Sequence, residues 1–198
     1  MSLRVVGAEP EDFRARVVIA LPEHQPRPVL DITVPVHNEE RDLAQGMRRL
    51  HERLAYEFPF SVRITIADKA STDGTVGRAE WLAAELPSVR VLRLNETGRG
   101  RALAASWLTS NARVVTYMDL STELSALVRV VAPVISGHTE IAIGSGGQLK
   151  ALRSDVARRL IPKVVNRNWL FDTELLMRAE RAGLRIAEVT WSAARFRP

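Results

Sequence analysis

Cysteine is absent from the 198 residues, which excludes disulfides, thiolate metal sites and cysteine catalysis. That absence accords with a reducing compartment. No run of about 18 apolar residues occurs, so no spanning helix is expected, and the first residues lack the apolar stretch of a secretory signal. A cytoplasmic protein is expected. Lysine is scarce, since 25 of the 28 basic residues are arginine. No zinc-finger spacing, paired RNP-type aromatics or basic heptad array accompanies the arginine, so nucleic acid is not an expected partner. Nor does a G-x-G-x-x-G follow the first strong strand, which removes dinucleotide-dependent dehydrogenases.

The apolar content, 46% of the chain, is enough for one well-buried domain, and the length is too short for two. The formal net charge of +5 suits an anionic membrane surface or phosphate-rich substrates. Most arginines, among them Arg48, Arg49, Arg53, Arg158, Arg159, Arg178 and Arg181, are scattered as on solvated helix faces. Residues 1–30 hold four prolines and no sustained period. They read as an N-terminal arm, with 16–20 a candidate edge strand.

From Asp31 onward, short β-type runs alternate with helical patterns, as in a βαβ domain with a mostly parallel sheet. Strands are expected near 31–36, 62–68, 89–93, 113–118, 139–144 and 185–190. Leu43, Met47, Leu50, Leu54 and Phe58 recur at spacings of three and four, the mark of one buried helical stripe. Val76, Ala79, Leu82 and Leu86 repeat the device after Asp73-Gly74, where Asp73 can cap the helix start. Leu175, Leu176, Ala179 and Ala182 do so again, and Gly183 supplies a stop.

Chemistry gathers where strands end. Asp68 closes the apolar run from Val62 and is followed by the turn Ser71-Thr72-Asp73-Gly74-Thr75. In open α/β sheets ligands settle outside the carboxyl ends of strands, so a carboxylate delivered there faces a ligand. Pro35-Val36-His37-Asn38-Glu39-Glu40 ends the preceding strand in the same manner. Gly98-Arg99-Gly100-Arg101 opens a helix expected over 101–110, and offers glycine backbone, two guanidiniums and a helix N-terminus to a diphosphate.

These segments together resemble the family 2 glycosyltransferases of GT-A fold, whose first strand runs into V-P-x-x-N-E-E and whose second motif is D-x-x-S-x-D-G-T. Gly98-Arg99-Gly100-Arg101-Ala102-Leu103, Tyr117-Met118-Asp119-Leu120-Ser121-Thr122 and Trp169-Leu170-Phe171-Asp172-Thr173-Glu174 are most similar to the polyprenyl-phosphate sugar synthase branch. The resemblance runs over roughly residues 31–190 and implies a single Rossmann-like α/β domain at 31–198. It implies an inverting transferase that moves a sugar from a UDP- or GDP-linked nucleotide sugar to a polyprenyl phosphate. Such an enzyme would sit peripherally at the inner face of the membrane, on its anionic surface.

By the same resemblance Pro35, His37, Asn38, Glu39, Asp68, Asp73, Arg99 and Arg101 bind the nucleotide, with Asp68 on the base. Asp119 and Ser121 hold a divalent Mg or Mn ion. Lys150 and Arg153 hold the acceptor phosphate, and Asp172 or Glu174 supplies the catalytic carboxylate. Asp73 and Asn38 also serve as plain caps, Lys150 and Arg153 as exposed helix-start cations, and Asp172 and Glu174 as first-turn acids. Trp169, Leu170 and Phe171 fit either the core or an interfacial foot.

Two departures stand out. The family carries D-x-D-L where Met118-Asp119-Leu120-Ser121 stands, so Asp119 represents one or the other of two aspartates. After Ile143-Gly144-Ser145 the family continues with a long acceptor-side segment, whereas here Gly146-Gly147-Gln148-Leu149-Lys150 follows at once. Segments near 119–120 and 145–148 are therefore expected to be missing from the chain. The alternatives are a family 2 transferase acting on a saccharide or small-molecule hydroxyl, and a nucleotide-sugar-binding protein deficient in its metal site.

Overall fold

Strands and helices alternate along the computed structural model, which describes residues 4–5, 18–19, 27–147, 149–168 and 170–190. In chain order they are β1 (Arg4–Val5), β2 (Val18–Ile19), β3 (Leu30–Val36), α1 (Leu43–Glu57), β4 (Val62–Lys69), α2 (Thr75–Glu85) and β5 (Val89–Leu94). There follow α3 (Arg99–Thr109), β6 (Val114–Tyr117), α4 (Leu124–Ile135), β7 (Ile141–Gly144), β8 (Lys150–Arg153), α5 (Ser154–Leu160), α6 (Phe171–Arg181) and β9 (Ile186–Val189). A strand is present at Val18–Ile19 within the expected 16–20, antiparallel to β5, but it is not the edge strand, because β1 pairs with its other side.

One sheet takes the order β1-β2-β5-β4-β3-β6-β8-β7-β9. Its centre, β5-β4-β3-β6, is parallel. The chain steps from β3 outward to β5 on one side and then returns to place β6 on the other side of β3. A crevice therefore opens at the carboxyl ends of β3 and β6, the switch point where doubly wound sheets bind ligands. The sequence did not announce β8. It runs antiparallel to both β6 and β7, and Gly144 N–H donates to the Leu149 carbonyl at 2.8 Å.

Both faces of the sheet are covered. The stripe Leu43, Met47, Leu50, Leu54 and Phe58 of α1 packs with α2 and α4 on one face, where Leu30, Ile32, Val34 and Val36 of β3 also point. On the other face Leu103 and Trp107 of α3 join α5 and α6 through Val156, Leu160, Phe171 and Leu175. Gly183, at φ +66, ends α6, and Leu184 N–H returns to the Ala179 carbonyl at 3.1 Å.

The alternate residues of β3 are polar yet equally buried. Asp31 accepts from Arg63 at 3.1 Å, Arg90 at 3.0 Å, Thr65 at 2.7 Å and Ser110 at 2.6 Å, while Thr33 and Ser106 share a hydroxyl bond of 2.7 Å. A buried carboxylate needs its charge matched and its lone pairs filled. Here β3, β4, β5 and the end of α3 each supply a partner.

Candidate active site

Two strand ends build one wall of the crevice. In register, Val36 of β3 lies beside Asp68 of β4, so the turns that follow meet. Asn38 (φ 55) and Ala70 (φ 57) are both left-handed, a conformation that side chains disfavour. Their turns are laced together. Asn38 N–H donates to the Ser71 hydroxyl at 2.9 Å, Thr72 N–H to the Asn38 side-chain oxygen at 2.8 Å, and Glu39 N–H to the Thr75 hydroxyl at 2.8 Å. His37 Nδ1 bonds the Lys69 carbonyl at 2.9 Å, which assigns its proton to that nitrogen.

Within this lacing Asp73 is fully engaged, by Thr75 N–H at 3.0 Å, the Thr75 hydroxyl at 2.5 Å and Glu40 N–H at 3.4 Å. Hydrogen bonding from Thr75 holds its carboxyl below the usual range. A Cβ on Gly74 would lie 2.4 Å from Glu40 Oε1, so a side chain there would displace the exposed carboxylate that accepts from Gly74 N–H at 3.0 Å. Asp68 differs from its neighbours. Its Oδ2 accepts from Ser71 N–H at 3.2 Å, and its buried Oδ1 has no hydrogen-bond partner among the described residues. Such an atom is costly unless something donates to it.

The other wall is a cluster of charge around Tyr117 at the end of β6. Arg99, the first residue of α3, donates to Asp172 Oδ2 at 2.7 Å, and Lys150 Nζ stands 3.6 Å from the same oxygen. Both cations lie against the Tyr117 ring, 5.4 and 5.8 Å from its centroid. What brings them together is contact between α3 and α6. A Cβ on Gly100 would fall 2.5 Å from the Arg167 carbonyl oxygen and 2.6 Å from Phe171 Cβ, so only glycine permits the approach.

Lys150 is only 3% exposed, and burial pushes its ammonium pKa down while Asp172 opposes that shift. The Tyr117 phenol is pushed up, by burial first and then by the Asp172 charge, so it stays a proton donor. Neither the Tyr117 hydroxyl nor Asp172 Oδ1 has a partner among the described residues. Two cations against one carboxylate leave the cluster a positive charge, adjoining the N-terminus of α3.

Asp119 and Ser121 are exposed in the turn after β6. The Asp119 charge reaches both walls, raising the Glu39 carboxyl, whose main perturbation is burial, and adding to the shift of Tyr117. Among the described residues no group of three or more metal-ligand side chains occurs. Asp119 and Ser121 offer a divalent ion one carboxylate and one hydroxyl, so substrate phosphates would have to supply most of its ligands.

Arg99, Lys150 and Asp172 therefore come together, while three further candidates are engaged elsewhere. Glu174 accepts from Asn166 N–H at 2.8 Å, from Val165 N–H at 3.0 Å and from Arg178 at 2.6 Å. These bonds, the main-chain ones first, hold its carboxyl down at about 2. Arg153 sits at the far end of β8, opposite Val114 and bonded to Asp155. Arg101 pairs with Glu96. Trp169 lies outside the described residues, whereas Phe171 is buried against Trp107. Tyr117 escaped the sequence, where a tyrosine inside an apolar run reads as core.

A mixed sheet with a parallel centre, its polar residues gathered at the switch point, defines a doubly wound α/β domain, and solved structures share it. The mannosyltransferase PcManGT from Pyrobaculum calidifontis, determined with GDP-Man and Mn2+, superposes with a TM-score of 0.65 at 16% identity, over 95% of this chain and 61% of that one. TarS of S. aureus in complex with UDP gives 0.63 at 16% identity, over 83% and 58%. The shared architecture is the GT-A fold. In sequence the chain is 28% identical over 204 residues to Glycosyltransferase AglD of Haloferax volcanii, a match covering 82% of this chain. It spans 33% of that relative's length. The matched stretch outruns the part of this chain it takes in, so some tens of the relative's residues have no counterpart here. The glycosyl transferase family 2 profile matches residues 31–188, and the chain belongs to that family.

Proposed function

We propose that this chain transfers a sugar, with inversion, from a UDP- or GDP-linked donor to a polyprenyl phosphate at a membrane surface. The observation that carries this is the pairing of two walls. An orphaned acceptor, Asp68 Oδ1, ends β4 where a base can donate to it, and the cationic cluster of Arg99 and Lys150 ends β6 where a diphosphate can rest. Asn38 and Asp73 act by holding the base-side turn in shape.

The acceptor oxygen forms a bond to the anomeric carbon as the bond from that carbon to the diphosphate breaks. An acceptor phosphate is largely ionised near neutral pH, so no base has to remove a proton. Rate then comes from alignment and charge. Arg99 and the N-terminus of α3 offset the charge of the departing diphosphate, and Lys150, fixed by Asp172, holds the incoming phosphate. Tyr117 donates to whichever oxygen faces its hydroxyl. Asp119, with Ser121, would hold a divalent ion, which supplies further neutralisation of the leaving group when bound.

Among the described residues no helix is long and apolar enough to cross a membrane. Val165 and Leu170, in the stretch leading into α6, are exposed and suit contact with a lipid chain. The decisive assay supplies radiolabelled nucleotide sugars with Mn²⁺ and either polyprenyl phosphate or soluble saccharides. Label is expected in the lipid. Label in saccharides alone would favour the second reading, transfer to a hydroxyl, for which the unpartnered Asp172 Oδ1 is the available base.

The chain is further proposed to lack segments near 119–120 and 145–148, where the family pattern breaks while its flanks match. Peptide mapping of the natural protein checks this. A fragment joining Ile143 to Lys150 without additional mass would overturn it.

A further inference from the structure

At the opposite rim of the sheet, the amino ends of β3 and β6 and the carboxyl end of β8 surround a cleft of about 620 Å³. Arg27, Arg113, Arg153 and Arg158 line it, against one carboxylate among the described lining residues, Asp155. That carboxylate is bound to Arg153 through two bonds of 3.0 and 2.7 Å. The guanidiniums of Arg113 and Arg158 donate instead to the main-chain carbonyls of Ile135 and Ser110, which leaves their charge unmatched.

Behind the wall, Ser110 donates to Asp31, the single carboxylate shared by buried Arg63 and Arg90, so the core adds positive potential. Ser154 lines the same cleft. It is 2% exposed, and its hydroxyl has no hydrogen-bond partner among the described residues. The walls are already joined, by Arg113 N–H to the Pro28 carbonyl at 3.1 Å and Ser154 N–H to the Arg113 carbonyl at 3.0 Å. The cleft is therefore preformed.

We propose that this cleft is a second anion site, separate from the crevice at the carboxyl ends of the strands, which takes a phosphate or diphosphate group. Planar guanidiniums match phosphate oxygens in pairs. Nothing in glycosyl transfer at the other rim uses these residues.

Calorimetry with inorganic pyrophosphate tests the site, carried out in Arg99→Gln protein so that the opposite cluster contributes little. Binding is expected, at least tenfold weaker after Arg27→Gln with Arg158→Gln, and several-fold tighter after Asp155→Asn, which frees Arg153. Asp155 is exposed, so that variant keeps the test alive should the arginine pair be needed for folding. Vesicles of phosphatidylcholine with and without phosphatidylglycerol identify the source. Sedimentation with anionic vesicles that falls in the arginine variants assigns a lipid headgroup, and unchanged sedimentation with lost pyrophosphate binding assigns a free phosphate compound. No pyrophosphate binding in Arg99→Gln protein, or binding indifferent to both sets of variants, would overturn the proposal.

Discussion

Asp68 and Lys150 are both nearly sealed from solvent, and they invite opposite experiments. Asp68→Asn keeps an oxygen for Ser71 N–H but loses the charge that would face a base. Nucleotide affinity should fall by about 1.5–3 kcal/mol, the worth of a hydrogen bond to a charged group, with the fold intact. Calorimetry with UDP and GDP measures it, and unchanged affinity for both removes Asp68 from the site. Lys150→Met keeps the stem and removes a buried ammonium, whose desolvation already opposes its charge. Stability should change little. Transfer activity should fall at least about tenfold, as for a lost charge-assisted bond; full activity would show Lys150 to be structural only. Asp68 was legible because it ends an apolar run. Lys150 was named only through the resemblance, since neither its burial nor its contact with Asp172 is written in neighbouring residues.

Among elements, α1, α2, α6 and the parallel strands follow from periodicity, whereas α4 and α5 went unread, and the α1 stripe packs as its spacing of three and four requires. β8 was invisible for a physical reason. Its four residues begin and end with cations and are too few for an alternation to declare itself. Glu174 likewise looked like a first-turn acid, yet it ties α6 to the preceding loop through Val165 and Asn166. Its folded pKa of about 2 lies below the ordinary 4.5. A depressed carboxyl contributes stability that is complete above about pH 4.5 and is lost as pH falls toward about 2. Urea unfolding through that window should show the wild type weakening with acid and Glu174→Gln starting weaker with a flatter profile. Parallel profiles would sink this assignment.

Across the whole molecule, the Asp31 network joins β3, β4, β5 and α3 through residues up to 79 positions apart. No local pattern could pair Asp31 with Arg63 and Arg90. Asp31→Ala strands two buried guanidiniums and should cost about 3–5 kcal/mol, the usual penalty for breaking a buried pair. Denaturant titration should show an earlier midpoint with an unchanged slope; a shift within error would mean the arginines find water. β8 carries a different consequence. With Lys150 at one end and Arg153 at the other, the two cations leave the main chain only about 10 Å apart. Salt screens exposed charges over about 8 Å at physiological strength but buried ones, such as Lys150, much less. The two rims are therefore not electrically independent, and an anion settling at either one dims the field that the other presents to its own guest.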